Sequence, residues 1–351
     1  MFYSPHSRFT RAVGLAGLWL ALWGLNPAWG QEALPTEPAP KPTQDAGSAP
    51  APEPTVQETP PTETDQEPQP ARSRAEWAAT ASFILPGAGQ VIINQEPWNG
   101  ALQLGLYGAG WHVLGGAMSQ PEYRLPENRV NTLNYTLVLN RTEMIADISS
   151  TFITTMEFYS AYDAYRTARL RVRNEGYNTP APRESLQDLV RAPFRWEYLS
   201  RPTTFLMFIG PLYVLANPPA PNRYLTRLDP PLTRDEARAG YFGEMMMVSV
   251  GEEAFFRGVL NNGFSDSMGE NMGLVMSSAV FGAVHAGNPQ QATAGQAFLF
   301  GLYLGWLQQN NNYDIGEGVA IHFWWNVLVS WASLRDRPTQ HVQIFSWGST
   351  F

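Results

Sequence analysis

Three short polar clusters interrupt otherwise apolar sequence. Glu252-Glu253-Ala254-Phe255-Phe256-Arg257-Gly258 lies inside an apolar stretch running from Tyr241 to Leu260. Phe281-Gly282-Ala283-Val284-His285 closes an apolar run that begins near Met272, and His322-Phe323-Trp324-Trp325-Asn326 sits in a third. Glu253 and Arg257 are four apart, so on a helix they share a face and can pair. Glu252 then points about 100° away. It is free to face a cavity with a raised pKa, as a general base requires. His322 and Asn326 are also four apart and project from one face. An Asn there can orient an imidazole, ligate through its carbonyl or donate to an oxyanion.

Each cluster has a structural explanation when taken alone. The glutamates and Arg257 could be a buried charge network, His285 a helix cap, and His322 with Asn326 polar glue between membrane helices. Together they read differently. Of the five histidines, His6, His112 and His341 lie outside these clusters, while His285 and His322 fall on separate apolar segments downstream of the glutamates. Placing a carboxylate at membrane depth costs roughly 2.5 kcal/mol or more, so such groups are functional candidates by default. Glu252 could activate water. His285 and His322 could bind a metal or donate to a tetrahedral intermediate. The soluble metallopeptidase spacing HExxH is absent; the groups would converge from three helices instead.

The elements that must position them are helices punctuated by Gly, Pro and Asn. Apolar segments fall at about 77–93, 99–118, 145–166, 203–217, 242–262, 271–286, 292–308 and 317–335. Segment 145–166 mixes Asp147, Glu157 and Asp163 with aromatic residues and reads as interfacial. Leu85-Pro86-Gly87 implies a bend in the first segment. Twelve Trp and fourteen Tyr suit interfacial belts. Arg166, Arg169, Arg171, Arg173, Arg183, Arg191, Arg195 and Arg201 cluster in one loop, which the positive-inside rule puts in the cytoplasm.

The N-terminus differs from the rest. Arg8 and Arg11 precede an apolar run, Ala12 to Leu25, and Ala28-Trp29-Gly30 supplies small residues for cleavage, the pattern of an export signal. Residues 31–72 hold eight acidic residues against Lys41 and Arg72 and are rich in Pro. Such sequence buries too little apolar area to fold and reads as a disordered tether. Lys41 is the only lysine in the chain, which argues against a nucleic-acid partner. No cysteine is present, so disulfides, thiolate metal sites and cysteine nucleophiles are excluded.

EEAFFRG, FGAVH and HFWWN, in that order, resemble the CPBP (Abi) family of intramembrane proteases, which includes type II CAAX prenyl endopeptidases and bacteriocin-immunity proteins. The resemblance covers roughly residues 200–335. It implies an all-α, polytopic transmembrane helix bundle that hydrolyses a peptide bond of a membrane-associated protein or peptide. It makes Glu252 the water-activating base, Glu253 and Arg257 its supporting pair, and His285, His322 and Asn326 the remaining site groups. A zinc or other divalent ion on His285 and His322 and a metal-free glutamate mechanism are both compatible with it. The expected organisation is signal peptide or anchor at 1–30, tether at 31–72, accessory membrane helices and Arg-rich loop at 73–200, protease core at 201–336 and tail at 337–351. The expected location is multi-pass in a bacterial inner membrane, with the lipid bilayer and a membrane-embedded substrate as partners. The export signal and tether make prenylated CAAX proteins a poor fit as natural substrate. A catalytically silent scaffold or immunity-type protein of the same fold is the alternative.

Overall fold

The computed structural model describes residues 72–131, 136–216, 225–286 and 294–334. The expected signal, nearly all of the tether and the expected tail lie outside these residues; Arg72 already opens the first helix.

The described chain is mostly helical. Its front part contains α1 (Arg72–Ile84), α2 (Ala88–Ile92), α3 (Pro97–Met118) and α4 (Arg141–Arg171). Two short helices follow, α5 (Leu186–Arg191) and α6 (Trp196–Leu199), then α7 (Pro202–Ala216). A long rod comes next. It starts as α8 (Arg234–Glu252), widens into a π-helix over Glu253–Asn261 and ends as α9 (Asn262–Met268). The last helices are α10 (Glu270–Val284), α11 (Ala294–Asn310) and α12 (Gly316–Ser333). The Leu85-Pro86-Gly87 turn divides the segment expected at 77–93 into α1 and α2.

This helix content is consistent with the expected all-α class. A three-stranded sheet accompanies the helices: β1 (Val130–Asn131), β2 (Thr136–Leu139) and β3 (Leu225–Leu228). β2 pairs antiparallel with β1 and parallel with β3, in the register Thr136↔Leu225 to Leu139↔Leu228. Leu137 and Leu139 are buried with Leu232, Ala237, Tyr241 and Leu334. The sheet thereby anchors the start of the rod.

The segment 145–166 lies within α4, which is packed among several other helices. The 31 residues of α4 span about 46 Å. An Asn140–Glu143 capping box starts it. It packs against α1, α3, α8 and the π segment. Its polar residues meet polar partners from those neighbours. Asp163 accepts from the amides of Gln90, Asn99 and Gln103 at 3.1, 3.0 and 2.9 Å. Thr151 donates to Glu244 at 2.9 Å.

The arginine-rich loop is also partly internal. Arg169 is fully buried, pairs with Asp266 at 3.1 Å and lies 4.1 Å from the Tyr177 ring centroid. Arg195 pairs with Asp188, and Arg201 with Glu317. These cations hold elements together, so they are weak markers of membrane sidedness. Among the described residues, no helix is long and apolar enough to cross a membrane.

Candidate active site

The site is built where the rod changes pitch. α8 begins with a Thr233–Glu236 capping box and delivers Glu252 as its last α-helical residue. Glu253 opens the π-helix, whose hydrogen bonds run to the fifth residue rather than the fourth. More residues per turn means less rotation per residue, so the two glutamates diverge less than an α-helix would impose.

Aromatic residues seat this wide segment on both sides. Phe255 stacks on Phe158 with centroids 4.7 Å apart and on Phe83 at 4.9 Å. Phe256 packs edge-to-face on Phe281 at 5.0 Å. Gly258 lies against the Tyr162 ring, where a Cβ would come within 2.4 Å. Only glycine lets the π segment lie this close to α4.

α12 brings the third cluster. Its N-terminus is fixed by Glu317, which is buried and accepts from Arg201 at 2.6 Å, Asn311 at 2.8 Å, Thr204 at 3.0 Å and also Thr203. An acidic residue in the first turn also suits the helix dipole. This anchor sets the orientation of α12, so that Gly318 passes Glu253 and His322, one turn on, faces the glutamates.

Both carboxylates then flank a single imidazole. His322 Nδ1 lies 2.8 Å from Glu253 Oε1, a hydrogen bond. His322 Nε2 lies 3.6 Å from Glu252 Oε2, within ion-pair range but too long for a hydrogen bond. Glu253 Oε1 also accepts from Arg257 Nη1 at 3.0 Å, the pair expected from the spacing. The Arg257 guanidinium sits 4.4 Å over the Phe281 ring centroid. Edges of Phe281 and Phe300 wall the imidazole, with centroids 6.4 and 5.6 Å away. This sharpens the expectation from spacing: Glu252 and Glu253 address opposite nitrogens of the same ring rather than separate surroundings.

His285 follows α10 as its C-cap and is buried. Its Nδ1 lies 2.7 Å from the Phe281 carbonyl, which fixes the proton on Nδ1 and turns Nε2 outward from that bond. Its ring centroid is 4.5 Å from that of Phe281, so His285 and His322 flank the same aromatic. Asn326 lies one turn beyond His322 and is buried. Among the described residues, both its amide atoms and both Glu252 oxygens have no hydrogen-bond partner. Buried polar groups are normally satisfied, so each exception calls for an explanation, such as a water, an ion or a catalytic role.

The donor set bears on whether a metal fits here. Among the described residues, no three His, Asp or Glu side chains are grouped so as to hold a metal ion. Glu253 is committed to His322 and Arg257, and His285 uses one nitrogen on Phe281. The residues present do not make a closed metal cage.

Two residues of the neighbourhood were not singled out from sequence. Gly318 faces Glu253, and a Cβ there would lie 3.1 Å from Glu253 Oε2. Gln308 of α11 donates to the Arg257 carbonyl at 2.9 Å. Gln308 stands in a run of Gln and Asn that reads as an ordinary helix exit, so no sequence signal marked it.

Residues 237–328 match the family model described as Type II CAAX prenyl endopeptidase Rce1-like. The matched segment holds all three motifs, and this family lies within the one that they resemble. No curated protein and no solved structure matches the chain.

Proposed function

We propose that the chain is an intramembrane endopeptidase in which Glu252 activates water for attack on a peptide carbonyl. One observation carries the reading: His322 is held between two buried glutamates, while Glu252 and Asn326 keep unpartnered polar atoms beside it. The match to a family described as an endopeptidase agrees with it.

In this reading Glu253 receives the Nδ1 proton of His322 as a hydrogen bond and fixes the ring. His322 Nε2 and Glu252 then both present lone pairs, and a single water can donate to each. Glu252 takes a proton as the water oxygen bonds to the scissile carbonyl carbon. The carbonyl oxygen becomes an oxyanion, to which the Asn326 amide donates. Collapse expels the amine, which takes the proton back from Glu252. Arg257 offsets the charge of Glu253, so that two neighbouring carboxylates can share the site.

The membrane setting rests on the surface. α3 exposes Trp98, Leu102, Leu104, Leu106, Trp111 and Val113. α7 exposes Phe205, Leu206, Ile209 and Leu212, and α11 exposes Leu299 and Trp306. Apolar exposure on this scale marks contact with lipid or protein, and a bilayer covers all of these helices at once. The substrate would then be a membrane-associated protein or peptide.

The test uses the full chain in liposomes, with a non-prenylated transmembrane peptide and a farnesylated CAAX-type peptide as probes. Wild type is expected to cleave one of them, and Glu252→Gln to cleave neither. Equal cleavage by Glu252→Gln overturns the mechanism. Cleavage by neither protein, with the cellular phenotype intact in Glu252→Gln, establishes a silent scaffold or immunity-type role. A zinc ion on His285 and His322 is the competing chemistry. It predicts loss of cleavage after chelation and recovery with zinc, whereas the glutamate mechanism predicts cleavage that withstands chelation.

A further inference from the structure

The wide turn under Glu253 has a support that lies outside all three motifs. A π-helix is rare, occurs mostly as a short segment, and is frequent at functional sites. Side-chain amides meet two consecutive carbonyls of this one. Gln308 Nε2 donates to the Arg257 carbonyl at 2.9 Å, and Asn262 Nδ2 donates to the Gly258 carbonyl at 3.1 Å. Gln308 Oε1 in turn accepts from Asn261 Nδ2 at 2.6 Å, and Asn261 Oδ1 accepts from Ser277 at 3.4 Å. Gln308, Asn261 and Asn262 are all buried. Gln308 therefore bonds both the backbone of the π segment and its last residue, from a helix that supplies none of the three motif clusters.

We propose that Gln308 is a positioning residue for the candidate site. By holding the Arg257 carbonyl it keeps the wide pitch, and the wide pitch keeps Glu253 on His322 Nδ1 while Glu252 stays against Nε2. The assignment rests on Glu252, Glu253 and His322 being the reacting centre. A residue that only glued two helices together would affect stability without altering the imidazole. A positioning residue alters which imidazole nitrogen carries the proton, because that is set by the hydrogen bond the ring makes.

Gln308→Met keeps the side chain's length and removes both of its hydrogen bonds. The readout is the imidazole nitrogen spectrum of the full chain, labelled with ¹⁵N-histidine in lipid nanodiscs. Five histidines contribute, and His322→Gln identifies the His322 signals. Wild type is expected to show His322 protonated on Nδ1. Gln308→Met is expected to move that population toward Nε2–H, with the His285 signals unchanged. Cleavage of the probe that wild type accepts should fall about tenfold in kcat with KM within twofold, as a small misplacement of reacting groups produces. An unchanged His322 spectrum in folded Gln308→Met overturns the proposal, whether or not any peptide is cleaved. A shifted spectrum upholds the positioning role even where cleavage is absent, an outcome that tells against the peptidase reading alone. If Gln308→Met does not fold, Gln308→Glu keeps the acceptor for Asn261 while replacing the donor to Arg257, and is read by the same spectrum.

Discussion

Two buried carboxylates on adjoining helices are treated in opposite ways. Asp163 of α4 lies in a cage of three amides, from Gln90, Asn99 and Gln103. Glu252 of α8 is more deeply buried, and its oxygens accept no hydrogen bond among the described residues. A buried charge is expensive unless partners surround it. Asp163 has its partners and joins α2 and α3 to α4, whereas Glu252 faces an imidazole nitrogen at 3.6 Å. Burial and charge alone therefore do not identify a catalytic group in this molecule. The distinguishing property is hydrogen-bonding capacity left open beside a second reactive group.

That contrast predicts a crossed pair of phenotypes. Glu252→Gln should lower kcat by about 10²–10⁴, the range for loss of a general base, with a thermal midpoint equal to wild type or higher. Neutralising a buried carboxyl that accepts no hydrogen bond relieves desolvation without breaking one. Asp163→Ala should do the reverse. It removes one of the two acceptors of each amide, the other being Ser160, Glu96 or Asn99, and is expected to cost about 2–3 kcal/mol, given that one lost buried hydrogen bond costs about 1–3. Turnover per folded molecule should stay within a few-fold of wild type. Denaturation in detergent and cleavage assays on the same preparations check both, and matching phenotypes for the two variants would erase the distinction.

A smaller effect tests how tightly Glu253 is packed at the candidate site. At Gly318 a Cβ would lie 3.1 Å from Glu253 Oε2, and Glu253 is already held by His322 and Arg257. Gly318→Ala must push one of them by a few tenths of an ångström. A loss of about tenfold in kcat is expected, with stability little changed, since Ala favours the helix over Gly by about 1 kcal/mol. Unaltered kcat would mean that Glu253 has room to move and that its contact with His322 is not finely set.

The polar clusters of the site were legible because charge inside apolar sequence is costly and conspicuous. Glu252, His322 and Asn326 stood out for that reason, and i, i+4 spacing foretold the Glu253–Arg257 pair. The shared imidazole was not legible, because it depends on a pitch change. Nine residues of π-helix leave no periodic signature, and the amides of Asn261 and Gln308 that support it sit in runs resembling helix ends. The sheet was hidden for another reason: strands of two to four residues carry little alternation, and β2 and β3 are far apart in sequence. The polar residues of α4 carried no sign of their partners, which come from other helices. Phe281 packs beside His285, and it also lies under the Arg257 guanidinium.

The smallest expected effect lies away from the glutamates, where Glu184 meets the start of α12. Its carboxyl group accepts from the Ile315 N–H at 3.0 Å. Burial, followed by the nearby Asp314 carboxylate, pushes the Glu184 carboxyl well above its ordinary value of 4.5. The folded chain therefore binds this proton more tightly than the unfolded chain does. Linkage then makes this contribution to stability complete below the ordinary value and loses it as pH rises through the raised one. Glu184→Gln keeps an oxygen for the Ile315 N–H and has no proton to lose. Its thermal midpoint is expected to match wild type near pH 4 and to exceed it progressively as pH is raised to 8. A constant gap across that range would show that Glu184 titrates alike in the folded and unfolded chains. A growing gap would show that α12, the helix carrying His322 and Asn326, is seated through a carboxyl that keeps its proton, in contrast to the ion-paired Glu317 one turn away.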